Sequence, residues 1–253
     1  MRLSHAALLT LRRRRALVIW AGILAIGVPL VLEVVLAIVH ANAPALHRPA
    51  GGASTFARLT NTIDVALVVM AVLVGATAGA GDLAAGTFRD LVATGTRRRD
   101  LFLARIPAAL ALTLSLAAAG MGVILVACYT LADGTPTPTW LQVVETFLFV
   151  LVAVGVTTVL AVGVAELVGS RGITIGVMLG WLLAGEQLLV GISILGGSRD
   201  ALLTPALDRL RPIISSGDGH LLPMGVLVAC ATIVVWAVAA ATAGVWKAER
   251  RDA

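Results

Sequence analysis

Lysine is almost missing from this sequence. Lys247 is the only one, against 18 arginines. A phosphate-binding loop needs Gly-Lys followed by Ser or Thr. Lys247 is followed by Ala248, so the chain cannot carry that motif. The arginine-to-lysine ratio reads as a coding bias more than as a function. Cysteine is scarce too. Cys128 and Cys230 lie in apolar runs, without CxxC spacing or a neighbouring histidine, which excludes a cysteine-based metal site and leaves them as small apolar residues. His5, His40, His47 and His220 all fall outside the long apolar runs. Haem held by paired histidines in membrane spans is thereby excluded. So is an intramembrane serine protease, because Ser115 and Ser193 have no histidine in the spans. There is no HExxH pattern. Charged residues make up only 13%, about half the usual quarter of a soluble domain.

What is present is apolar sequence. Hydrophobic residues reach 59% of 253, in recurring runs of about 20 residues, enough to span a hydrocarbon core. The short alternating segments of a β-barrel are lacking. The expected fold is an all-α membrane protein with six transmembrane helices, over residues 16–39, 62–81, 101–132, 140–168, 173–195 and 223–246. The whole chain then forms one transmembrane domain. Six spans leave too few residues for a soluble catalytic domain, so no catalytic residue is assigned and the chain is not expected to be an enzyme.

The segments between the runs are short. Residues 1–15 place Leu3, Ala7, Leu8 and Leu11 on one helical face, as a helix lying in the membrane interface would. A signal peptide ending at Ala41-Asn42-Ala43 is rejected, because run 16–39 is too long for one and Pro44 would follow the cut. Residues 40–61 carry Pro44, Pro49 and Gly51-Gly52 without periodicity and read as a loop. Residues 133–139, DGTPTPT, read as a tight turn. Gly169 to Gly172 is a short connection with Arg171. In the long segment 196–222, Leu202, Leu203, Ala206, Leu207 and Leu210 form a helical stripe, expected to lie on the outer leaflet.

Charge sets the orientation. With both termini inside, inner segments hold 14 of the 19 basic residues and outer ones hold 5, namely Arg48, Arg58, Arg199, Arg209 and Arg211. That bias favours cytoplasmic termini in a multi-pass protein of the cell membrane. The net charge of +5 is therefore explained by topology and membrane lipids rather than by nucleic acid.

The richest stretch lies between the second and third runs, 82–105, DLAAGTFRDLVATGTRRRDLFLAR. Ala84, Phe88, Leu91 and Val92 recur at helical spacing with Arg89 and Asp90 opposite, which predicts a short amphipathic helix. Asp82, Gly86-Thr87, Leu91-Val92, Arg98 and Arg105 resemble the first cytoplasmic loop of ABC-2 type transporter permeases. Asp82 stands where Glu is usual, Arg105 where Lys is usual, and the Pro often found before the Arg is missing. The resemblance implies an N-terminal elbow helix and a coupling helix between spans 2 and 3 that docks on a separate ATPase subunit. Phe88, Leu91 and Val92 would be the docking knobs, and Arg89, Arg97, Arg98 and Arg99 would steer docking or hold headgroups. It further implies a second permease copy in a homodimer, with ATP and Mg bound by the ATP-binding partner and no cofactor or metal in this chain. The alternatives are a loop that only fixes topology in a scaffold or sensor protein, and a proton-coupled secondary transporter.

Few polar residues fall within the spans. Glu33 lies in the outer half of the first, and Glu186 near the middle of the fifth beside Gln187. A carboxylate in hydrocarbon is costly, so each should face protein or water. They either line a translocation path or are carboxyls hydrogen-bonded between helices. No arginine in a span is expected to pair with them, and Asp64, Glu145 and Glu166 near span ends are explained by solvation. Gly172, Gly176, Gly180 and Ala184 form a small-residue ridge, and Gly75 with Gly79 a shorter one, suited to close helix packing within one subunit or between copies.

Overall fold

The structure is a computed structural model that describes residues 2–84, 97–212 and 222–250. Among them there is no strand, and six helices are long and apolar enough to cross a membrane. The N-terminal helix α1 is Arg2–Arg13. The spans are α2 (Arg15–Asn42), α3 (Ala53–Ala84), α4 (Arg98–Thr130), α5 (Trp140–Val168), α6 (Arg171–Gly191) and α8 (Val226–Arg250). A short helix, α7 (Leu203–Leu210), precedes the last. The chain is thus a multi-pass helical protein of membrane type.

Helix α3 is the centre. In its most apolar window 67% of residues are buried, against 17% in α2 and 17% in α8. Small residues make this possible. A Cβ at Gly75 would lie 2.6 Å from the Ala161 Cβ, and one at Gly79 would lie 2.5 Å from the Val162 carbonyl oxygen. Both glycines therefore let α3 and α5 approach backbone to backbone. The outer helices present Ile19, Val31, Leu227 and Val235 outward, the apolar surface that lipid requires. Where α2 meets α4, Pro29 has no N–H to offer the Ala25 carbonyl. A π-turn over Ile23–Gly27 adjusts the helix there, and the Ala25 oxygen rests on Gly120, where any Cβ would overlap it.

Four boundaries differ from the expectation, each for a visible reason. Residues 53–61 are helix rather than loop. Gly51 N–H donates to the Leu131 carbonyl and Gly52 N–H to that of Cys128, both at 2.9 Å, so the glycines seal the end of α4 and α3 starts immediately after them. The polar letters of 53–61 hide an amphipathic face, with Phe56, Leu59 and Ile63 buried. Helix α4 starts at Arg98, so the arginine run opens a helix. Helix α6 ends at Gly191, and Ser193–Ala201 continues as 3-10 turns through Gly196, whose φ is 51°. Helix α8 starts after Pro223 and Gly225 and runs past Trp246.

Helix α5 matches its expected limits. Thr139 and Gln142 form a reciprocal capping box at its start, and Gly169 ends it in the left-handed conformation with φ 72°. Helix α7 exists as anticipated, over Leu203–Leu210. Leu203 and Ala206 are buried because their stripe packs on the bundle.

Candidate functional site

Two polar centres lie at opposite ends of the bundle. At the end carrying the N-terminus, Arg105 of α4 donates from Nη1 to the Glu166 carboxylate at 2.8 Å and to the Gly79 carbonyl at 2.9 Å. The two side chains are 5% and 0% exposed. Three helices meet there because Gly79 has no side chain and Ala165 is small. This corrects the reading of Glu166 as a solvated residue at a helix end. It is fully buried, and its charge is matched by an arginine from another span. A buried carboxylate this far from water needs such a partner.

At the other end a cavity of about 250 Å³ opens between α3, α5, α6 and α7. Asp64, Thr157, Gln187, Thr204, Asp208 and Arg211 supply its polar lining, and Val68, Phe149 and Leu183 part of its apolar wall. Arg211 dominates the rim. Its Nη2 donates to Asp64 at 2.7 Å and its Nη1 to Asn61 at 2.6 Å. Its Nε lies 3.6 Å from Asp208, and the guanidinium sits 5.0 Å from the centre of the Phe149 ring. Solvation does not suffice for Asp64 either, since it holds this arginine. A mixed-charge pocket with an aromatic wall can accept a ligand that combines an apolar body with hydrogen-bonding or ionic groups.

The sequence-derived candidates distribute unevenly around these centres. Gln187 lines the cavity. Glu186, one residue earlier, is buried behind it, towards the α7 end of α6 rather than at its middle. A π-turn over Trp181–Gly185 aligns residues five apart, so the Trp181 indole N–H donates to Glu186 Oε1 at 2.9 Å. The other oxygen accepts from the Thr204 N–H at 2.5 Å. Leu202, at the start of α7, offers no side-chain cap, and the Glu186 carboxylate caps that helix instead. Glu33 is 3% exposed, and neither carboxylate oxygen has a hydrogen-bond partner among the described residues.

Of the segment between α3 and α4, the Asp82 side chain and Gly86, Thr87, Phe88, Arg89, Leu91 and Val92 lie outside the described residues. Arg97, Arg98 and Arg99 open α4 beside Glu249 of α8. The ridges separate. Gly75 and Gly79 are packed on α5, whereas Gly172, Gly176 and Gly180 face open space and Ala184 is exposed. Sequence reasoning missed Asp64, Asp208, Arg211 and Glu166. The one signal for Asp64 and Glu166 was an acid in or beside an apolar helix, and their arginine partners stand 147 and 61 positions away.

A scan against models of known protein families finds no match, and a search of curated proteins finds none.

Proposed function

We propose that this chain is the membrane subunit of an ATP-driven exporter of the ABC-2 type, its ATPase supplied by another polypeptide. The observation that carries the reading is the 82–105 stretch, which resembles the coupling loop of those permeases and falls between two spans. The arginine bias of the sequence, 14 basic residues inside against 5 outside, supports cytoplasmic termini. The missing Gly-Lys-Ser/Thr motif is why a partner must bind ATP and Mg. Two copies of the chain would pair with two such partners. Closure of the ATPases would push on the 82–100 segment and tilt α3 and α4 as rigid bodies. The cavity at Arg211 would form part of the outward path, with Gln187 on its wall.

The test is association. The chain is purified in mild detergent from its native membrane, and nucleotide-binding subunits are sought in the complex. Phe88→Asp with Leu91→Asp should release the ATPase. Unchanged association would remove the docking assignment. A second reading, proton-coupled transport, is favoured by Glu33, a buried carboxyl with no hydrogen-bond partner among the described residues. It requires transport that survives ATP depletion and is abolished by Glu33→Gln.

A further inference from the structure

A groove of about 640 Å³ lies where α2 and α6 begin. Arg14 and Arg15 reach it from the junction of α1 and α2, and Arg171 from the first turn of α6. Its remaining walls are apolar, chiefly Leu17, Trp20 and Leu73. Among the described residues no acidic one lines it. None of the three arginines makes an ion pair or side-chain hydrogen bond with another described residue. Three arginines therefore line one groove with no counter-charge among the described residues. Arg171 is the first residue of a helix, where the backbone dipole already favours an anion and disfavours a cation. Arg15 and Arg171 are exposed and Arg14 is half-buried, so the arginines are accessible to an anion and carry no intramolecular partner that it would have to displace.

The position of the groove says which anion. Arg15 and Arg171 are the first residues of helices long enough to cross a membrane, so the groove sits at the membrane boundary. Beyond it, Ile19 and Trp20 of α2 and Ile173 and Val177 of α6 are exposed apolar flanks. A free anion would use the arginines and leave Trp20 and Leu73 unused. A phospholipid satisfies both, with its phosphate on the arginines and an acyl chain along the apolar wall. We infer that this groove is a binding site for one anionic phospholipid, with Arg14, Arg15 and Arg171 holding the headgroup and Trp20 flanking the chain.

The full chain in mild detergent is incubated with phosphatidylglycerol and phosphatidylcholine at equal concentration, and retained lipid is read by native mass spectrometry. Phosphatidylglycerol should be retained in clear preference. Each of Arg14→Gln, Arg15→Gln and Arg171→Gln should weaken that preference about fivefold, the effect of one basic residue near an anionic surface. Arg48→Gln, at the other end of the bundle, should leave it unchanged. Arg171→Lys should keep most of the retention, which separates lost charge from lost folding. Equal retention of the two lipids, or a preference that persists in the triple glutamine variant, overturns the inference. Displacement of the lipid by millimolar inorganic phosphate also overturns it, because the groove would then be a simple anion site.

Discussion

The two arginine–carboxylate pairs have nearly the same length and opposite surroundings. Arg105–Glu166 spans 2.8 Å with both side chains buried, whereas Arg211–Asp64 spans 2.7 Å with side chains 17% and 26% exposed. Geometry alone would rank them equal. Burial does not, because a charge far from water has no other partner if its mate is removed. The first pair, joined to Gly79 by a second bond, locks three spans together near the segment proposed to receive force. The second can exchange its bonds for water and sits at the mouth of a cavity. One end of the bundle is locked, and under the proposed function the other is the end that opens.

Removing one member of the buried pair gives the largest expected effect. Glu166→Ala or Arg105→Ala should cost about 3–5 kcal/mol, since the survivor is left uncompensated. The measurement is thermal or denaturant unfolding in detergent. Replacing both residues with apolar ones of similar volume should recover most of the loss. A single-residue loss no larger than that of a surface pair would break the contrast.

Glycine packing comes next. Gly79→Ala forces a methyl against Val162 and Ala165 and should cost about 1–3 kcal/mol as overpacking. Gly176→Ala meets nothing within 4 Å and should be neutral or slightly stabilising in the same assay, helped by better helix propensity. Equal losses at both sites would mean that the α6 ridge is covered by a second copy of the chain, and the two ridges would no longer differ.

How much of this could be read in advance follows from the range of each interaction. Six spans, the short α7 and both ends of α5 were legible, because hydropathy, capping residues and a terminal glycine act within a few positions. Residues 53–61 misled, since their serine, threonine and asparagine hide a buried face that only helical spacing reveals. The polar centres were not legible as pairs. Glu166 and Asp64 could be seen as acids near apolar sequence, but nothing local points across 61 or 147 residues to their arginines. Glu186 was picked out for burial, and its role as a cap for α7 depends on Leu202 lacking one, a fact of the fold. The segment 85–96, the strongest signal in the sequence, lies outside the described residues.

Glu186→Gln tests that cap. The amide can still accept from Thr204 but loses the charge that favours a helix N-terminus, so about 1 kcal/mol should be lost. Fluorescence of Trp181, whose indole donates to the same side chain, should shift with it. A normal unfolding profile with abolished transport would instead place Glu186 in the path beside Gln187.

The smallest effect on stability is expected where the proposed functional effect is greatest. Arg211→Gln breaks a pair whose side chains are 17% and 26% exposed, and at most about 1 kcal/mol should be lost because water at the cavity mouth can replace the bonds. Unfolding should barely change. Asp64 and Asp208 would then face the cavity without their arginine, which makes its rim more negative and frees α7 from α3. Cysteines placed at Asp64 and Arg211 should be bridged by a bifunctional thiol reagent of about the span of the lost side chains in the resting protein, and less readily during transport if this mouth opens. Arg211→Gln should also raise the reactivity of a cysteine at Leu183 on the cavity wall towards a water-soluble thiol reagent, whereas Arg105→Gln should not. If the two variants changed that reactivity equally, the bundle would respond as one body, and the division between a locked end and an opening end would be lost.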